Sequence, residues 1–273
     1  MPPIAYEQRR EEIEHYFDRT AAQAWARLTS QEPLGHIRSS VREGRNRMRD
    51  TLLSWLPQDM NGLRLLDAGC GTGGLILRLR EANPAWHFAG IDFMPLACEL
   101  ARKRCGVGTD IREASITALP FADAGFDAVV SADVVCQVDN PETAAAEFFR
   151  VLRPGGVVVI NVPAYRWMWS YHDDSCQTKH RYTRPEIAAL LRGAGFAGVR
   201  TTHWNALPFP AVWAKRKLLR SAADTSDVKD YPKAVDAAFG ALMAVEHAWF
   251  ELGGTWAWGT SVFAVARKPG GLD

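Results

Sequence analysis

Residues 63–74 read Leu63-Arg64-Leu65-Leu66-Asp67-Ala68-Gly69-Cys70-Gly71-Thr72-Gly73-Gly74, and they decide the fold of this 273-residue chain. A short apolar run (Leu63, Leu65, Leu66) ends in the carboxylate of Asp67. The glycines that follow let the chain turn left-handed and let other groups approach its backbone. From Leu75 to Arg80 the sequence becomes apolar and helix-favouring. A strand, a glycine turn and a helix N-terminus are therefore predicted in that order, an arrangement that holds a nucleotide-like ligand against backbone N–H groups. A second acid, Asp92, closes the apolar run Phe88-Ala89-Gly90-Ile91. It stands about 20 residues further on, where a ribose-binding carboxylate belongs.

The spacing separates two classes of ligand. A pyrophosphate-binding loop needs G-x-G-x-x-G, whereas this loop reads D-x-G-x-G-x-G-G. An acid at the strand end repels a pyrophosphate but accepts hydrogen bonds from an amine. S-adenosylmethionine carries an α-amino group, a sulfonium and no phosphate, and fits better. Here the chain resembles the class I S-adenosylmethionine-dependent methyltransferases, whose first motif is similar to LLDAGCGTGG at residues 65–74. The resemblance implies cofactor contacts from Asp67, Gly69, Cys70, Gly71, Thr72 and Gly73, with Phe93 and Met94 beside the ribose acid Asp92. Residues 115–121 (Ser-Ile-Thr-Ala-Leu-Pro-Phe) match the place where such enzymes clamp adenine, which brings in Ser115 and Ile116. Many relatives carry an acid where this chain has Ser115, and a serine holds an exocyclic amine more weakly than a carboxylate does. Residues 125–133 read as the central strand with Asp133 at its tip, and Arg150 to Gly156 as a helix end with a proline–glycine turn. The alternative for the loop is an ordinary glycine turn without a ligand.

Around this stretch the hydrophobic pattern alternates strand and helix. Strands are predicted at 63–67, 87–92, 109–114, 126–132, 156–162, 197–204 and 259–267, and helices at 73–83, 94–105, 141–152 and 185–194. Such alternation specifies an α/β, doubly wound parallel sheet. With the resemblance, the expected fold is a Rossmann-like seven-stranded sheet with its last strand antiparallel. Ligands in these sheets bind beyond the carboxyl ends of the strands, where Asp67, Asp92 and Asp133 fall. Residues 1–60 read as an N-terminal helical cap and 61–273 as the methyltransferase domain, with a helical insertion at 208–257 before the last strand.

The bulk numbers narrow the partners. A formal net charge of +1 gives no electrostatic case for nucleic acid. Five cysteines without a C-x-x-C pair indicate neither zinc nor a disulfide framework. With no signal-peptide core at the start and no long apolar span, a cytoplasmic location is expected. Asp133-Val-Val-Cys-Gln stands where related quinone methyltransferases read roughly E-V-L-E-H, so no metal is expected.

The acceptor half is less sharply marked. Tyr165, Trp167, Trp169 and Tyr171 alternate after the fifth strand, either as a pocket wall or as a packed lid. His172 with Asp173 could supply a general base for a hydroxyl acceptor, or tie down a loop. The segment through Arg181, Tyr182 and Thr-Arg-Pro-Glu resembles a bacterial methyltransferase branch with a W-S-x-H-D…R-Y-T signature, which adds Arg181 and Tyr182 to the substrate candidates. Residues 12–74 are similar to the start of magnesium-protoporphyrin O-methyltransferases. Arg38, Arg42, Arg45 and Arg49 form one helical stripe there, suited to an anionic acceptor or to a solvated face. Residues 208–220 set Trp213 and leucines beside cations, a pattern compatible with an acidic membrane surface.

The expected function is methyl transfer from S-adenosylmethionine to a small acceptor, hydrophobic or anionic, at oxygen. The alternatives are methyl-ester formation on a magnesium-protoporphyrin propionate and a non-catalytic S-adenosylmethionine-binding protein. The sequence leaves the oligomeric state open.

Overall fold

A computed structural model describes residues 62–170, 173–174, 176–218 and 233–270. The expected N-terminal cap, with its arginine stripe, lies outside the described residues, as do Tyr171 and His172.

The elements run β1 (Arg64–Ala68), α1 (Gly74–Ala82), β2 (His87–Asp92), α2 (Pro95–Cys105), β3 (Asp110–Glu113), β4 (Phe126–Ala132), α3 (Pro141–Val151), β5 (Leu152–Pro163), α4 (Arg184–Gly193), β6 (Ala197–Trp204), α5 (Phe209–Leu218), α6 (Lys233–Glu251) and β7 (Ser261–Arg267). The strands form one seven-stranded sheet in the order β3-β2-β1-β4-β5-β7-β6. All neighbours are parallel except that β7 runs antiparallel to both β5 and β6. The strand order reverses between β1 and β4, which opens a crevice at their carboxyl ends.

Alternation along the strands supplies a core on each face. Leu66, Ile91, Val129, Val158 and Ile160 point to the side covered by Phe148 and Val151 of α3 and Ile187 and Leu191 of α4. Leu65, Ala128, Val130, Val157 and Val159 point to the side covered by Ile76 and Leu79 of α1, Ala101 of α2 and Met243 and Phe250 of α6. A capping box starts α4: Thr183 accepts the Glu186 N–H and Glu186 Oε2 accepts the Thr183 N–H at 2.6 Å.

One local feature differs from the sequence expectation. The proline–glycine turn at 150–156 is absorbed into β5, whose Leu152 already pairs with Phe126 before the register shifts to Ala128 opposite Val157. Gly155, at φ +78°, passes through this irregularity and its N–H reaches Lys268 O at 2.9 Å. In the insertion, α6 packs on the sheet. Its Met243 and Phe250 are buried, and Phe250 stacks on Trp204 of β6 at 5.5 Å.

Candidate functional site

The loop after β1 spends its own donors before any ligand arrives. Gly69 N–H and Cys70 N–H both donate to Ile91 O, at 2.9 and 2.8 Å, and Gly73 N–H donates to Cys70 O at 2.9 Å. Gly71 N–H donates to Asp92 Oδ2 at 2.9 Å. The expected row of free backbone N–H groups is thus largely consumed in shaping the loop. What the loop offers a ligand is a fixed contour and two carboxylates.

Each glycine has its own cause. A methyl group on Gly69 would lie 2.1 Å from Val134 Cγ2, so glycine there lets the chain after β4 press against the loop. A methyl on Gly73 would lie 2.6 Å from Cys105 Sγ, so glycine there lets α1 start against α2. Gly71, at φ +51°, faces open space with nothing within 4 Å of a built Cβ. Cys70 is the packing partner of the next strand: a Cβ on Gly90 would meet its Cβ and Sγ at 2.9 Å. Burial, then the Asp67 and Asp92 carboxylates, pushes the Cys70 thiol far above its ordinary range, so it stays protonated.

Asp92, at the end of β2, joins the two loops it separates. Its Oδ2 takes Gly71 N–H and its Oδ1 takes Met94 N–H at 3.0 Å. Burial raises its pKa, opposed by backbone N–H groups of Met94, Gly71 and Phe93. A carboxylate has about four acceptor positions, so two remain for a vicinal diol. Asp67 is buried at the end of β1. Asp133 takes φ +60° at the tip of β4, accepting from Asn161 Nδ2 at 3.0 Å while its N–H donates to Asn161 O at 2.9 Å. A left-handed aspartate at a strand tip is the kind of local strain that clusters at functional sites.

The loop after β3, expected to clamp adenine, is held from below. Arg150 of α3 reaches Leu119 O, Phe121 O and Asp123 Oδ1 at 2.9, 2.8 and 2.7 Å, and Glu147 Oε2 accepts Leu119 N–H at 2.7 Å. Ser115 Oγ already accepts Thr117 N–H at 3.2 Å and lies 2.8 Å from Thr117 Oγ1, while Ile116 is buried in the core. Arg104 of α2 braces Thr72 through its hydroxyl (2.7 Å) and carbonyl (3.2 Å). Neither arginine brace is visible in the sequence motifs.

The acceptor candidates separate into two groups. Tyr165 stands in an aromatic cluster: it stacks on Trp167 and His203 at 5.3 and 5.1 Å and meets Phe209 edge-on at 6.2 Å. His203 Nδ1 faces Ser261 O at 3.2 Å, and a carbonyl only accepts. The imidazole therefore carries its proton on Nδ1, and Nε2 accepts the Tyr165 hydroxyl at 3.0 Å. Burial lowers the His203 pKa to about 4, so the ring is neutral at physiological pH. Sequence reasoning missed His203 and Phe209. Their neighbourhood depends on β7, against whose Ser261 both Pro163 and Trp204 pair.

The second group turns inward. Asp173 and Arg181 are both buried and paired, Nε to Oδ1 at 2.8 Å. Asp173 Oδ2 also accepts Ser170 N–H at 2.8 Å, and Arg181 Nη1 donates to Ala164 O at 3.0 Å. Tyr182 is in the core. Trp169 is exposed, its indole N–H held by Asp174 Oδ1 at 2.9 Å.

A glycine loop after β1, an acid at the end of β2 and an antiparallel β7 together define the class I methyltransferase fold. The residues fit S-adenosylmethionine: the open face at Gly71 admits a ligand beside Asp92. A methyltransferase domain family matches residues 66–160. The chain is similar to magnesium-protoporphyrin O-methyltransferase of Rhodobacter capsulatus, 45% identical over 103 residues that cover 37% of this chain and 45% of that protein. It is 34% identical to an O-methyltransferase of Aspergillus nomiae over 155 residues, covering 52% of this chain and 68% of that one. The chain spans under half the length of the first curated relatives it matches. The solved magnesium-protoporphyrin IX methyltransferase of Synechocystis PCC 6803 with bound S-adenosylmethionine shares the fold, with a TM-score of 0.57 at 18% identity, covering 74% of this chain and 91% of that one. The chain belongs to the S-adenosylmethionine-dependent methyltransferase family.

Proposed function

We propose that this protein transfers a methyl group from S-adenosylmethionine to an oxygen of a small acceptor with an apolar, flat body. The observation that carries this is the division of labour along one edge of the sheet. Asp67, Asp92 and Asp133 end β1, β2 and β4, while Tyr165 and His203 stand at the ends of β5 and β6. A donor site and an aromatic wall thus share the carboxyl edge, the place where such sheets bind ligands.

Bound there, S-adenosylmethionine supplies an electrophilic methyl group. Asp92 holds the ribose diol, Asp67 the amine, and Ser115 with its loop the adenine. The main contribution of the chain is then positioning and exclusion of water. Tyr165, kept in place by neutral His203, and Trp167 flank the acceptor body. His172 is the candidate base for a hydroxyl acceptor, with the Asp173–Arg181 pair fixing the loop that carries it; a carboxylate acceptor needs no base, being ionised at pH 7. The buried free thiols of Cys70, Cys98, Cys105 and Cys136 support residence in a reducing cytoplasm.

A porphyrin propionate is the second acceptor, supported by the 45% identity to the Rhodobacter capsulatus protein and by Arg38 and Arg42 in the cap sequence. The test is a labelled-methyl assay over magnesium-protoporphyrin, phenols and neutral lipids, with adenosylhomocysteine and NAD titrated in parallel. Transfer to one acceptor class identifies the substrate. Tight adenosylhomocysteine binding with no transfer to any acceptor supports the non-catalytic alternative, and preference for NAD overturns the donor assignment.

A further inference from the structure

One side of α6 has no counterpart in the core. Its inward positions, Met243, Glu246 and Phe250, are buried. The adjoining side, about 100° round the helix, exposes Leu242, Val245 (61%) and Trp249, and Leu252 (83%) continues the stripe past the helix end. Between Ala237 and Phe250 the sequence carries no charge except the buried Glu246. From Leu242 to Leu252 the apolar stripe is about 15 Å long, at 1.5 Å per residue, and contiguous apolar exposure of this kind marks an interaction surface.

Three further observations say what the stripe meets. Tryptophans continue it: Trp249 lies 6.1 Å from Trp256, which lies 6.3 Å from the exposed Trp258. Trp249 Nε1 donates to Thr255 O at 3.3 Å and Trp258 Nε1 to Ala206 O at 3.2 Å, while Trp256 Nε1 is buried without a hydrogen-bond partner. Exposed indoles, large and apolar with one polar atom, are the side chains that settle at a bilayer interface. The loop leading into α5 is bolted to α6, because Glu246 Oε2 accepts Ala206 N–H at 2.9 Å and Leu207 N–H at 3.2 Å. That helix carries exposed Trp213 and, in its sequence, Lys215, Arg216 and Lys217.

We infer that the α5–α6 side is a docking face for a lipid bilayer bearing anionic headgroups. The apolar stripe and the tryptophans enter the headgroup boundary, and the α5 cations add attraction to the surface. Among the described residues no helix is long and apolar enough to cross a membrane, so this contact lies in the plane of the interface. It is independent of which acceptor is methylated.

The full chain is to be sedimented with sucrose-loaded vesicles of phosphatidylcholine, with and without phosphatidylglycerol. Binding should be at least ten-fold stronger with the anionic lipid, and neutralising Lys215 or Lys217 should weaken it by about five-fold per charge, equivalent to about 1 kcal/mol. The pair Leu242→Glu and Val245→Glu should abolish vesicle binding while leaving adenosylhomocysteine affinity and Tm unchanged. Failure to bind anionic vesicles overturns the inference. So does a dimer in sedimentation velocity that the same pair dissolves without any effect on vesicles, because the face then belongs to a second copy. A fall in Tm of several degrees with vesicle binding unaltered also overturns it, because the chain then covers the face itself.

Discussion

Gly71 and Asp92 are joined by a single bond, N–H to Oδ2 at 2.9 Å, that closes the loop after β1 onto the end of β2. Because Oδ1 is held by Met94 N–H at 3.0 Å, both carboxylate oxygens face backbone donors. Asp92→Asn places an amide N–H against one of those donors and halves the accepting capacity. The loss of a charge-assisted bond, about 1.5–3 kcal/mol, should weaken adenosylhomocysteine binding by one to two orders of magnitude in calorimetric titration. Unchanged affinity would remove the ribose from Asp92.

The loop glycines should separate into two kinds under alanine substitution. Gly71→Ala meets nothing but must hold φ +51°, a left-handed strain of about 1–2 kcal/mol. It should fold with a modestly lower Tm and a much lower adenosylhomocysteine affinity. Gly69→Ala and Gly73→Ala put a methyl 2.1 Å from Val134 and 2.6 Å from Cys105. Those two should lose stability first, seen as a large fall in urea midpoint before any binding is measured. Equal effects at all three positions would mean that the loop is only packing.

The donor half was legible because its signals are local. Asp67, the glycines and Asp92 lie within one βαβ unit, and period-two and helical patterns bounded the surrounding strands to within a few residues. The acceptor half was not, for a topological reason. Tyr165 and His203 are 38 positions apart and meet only because β7 inserts antiparallel between their strands. No periodicity encodes that insertion, which came instead from the resemblance. The braces from Arg104 and Arg150 were hidden for the same cause: a cation on an amphipathic helix looks identical whether it faces water or a loop carbonyl. Asp173 next to His172 suggested an acid–base pair, yet the ion pair with Arg181 depends on how residues 170–182 fold back.

His203 should leave a signature in stability against pH. Its folded pKa, about 4, lies below the ordinary value of 6.5, so the native state resists a proton that the unfolded chain accepts. Stability is therefore full above about pH 6.5 and falls as pH drops toward 4, by up to about 3 kcal/mol at about 1.4 kcal/mol per unit. His203→Phe keeps a ring against Tyr165 and removes the titration. The stability gap between wild type and variant, from urea melts at pH 7 and pH 4.5, should shift by about 2–3 kcal/mol in favour of the variant at the lower pH. A gap that does not change with pH would contradict the buried, neutral imidazole.

The Asp173–Arg181 pair distinguishes a catalytic loop from a merely anchored one. Both side chains are buried and hydrogen-bonded, Nε to Oδ1 at 2.8 Å. Removing one partner leaves an uncompensated charge in the interior, a loss of about 3–5 kcal/mol. Arg181→Met should therefore lower the urea midpoint strongly. The double variant Asp173→Leu with Arg181→Met should recover much of that loss, since no lone charge stays behind. If the pair acts only by holding the chain after β5, the double variant should keep its methyl-transfer rate once folded, and His172→Asn alone should lower the rate without moving the midpoint. If Asp173 orients His172 as a base, the stable double variant should be as slow as His172→Asn, with the same loss of the ascending limb in its pH–rate profile.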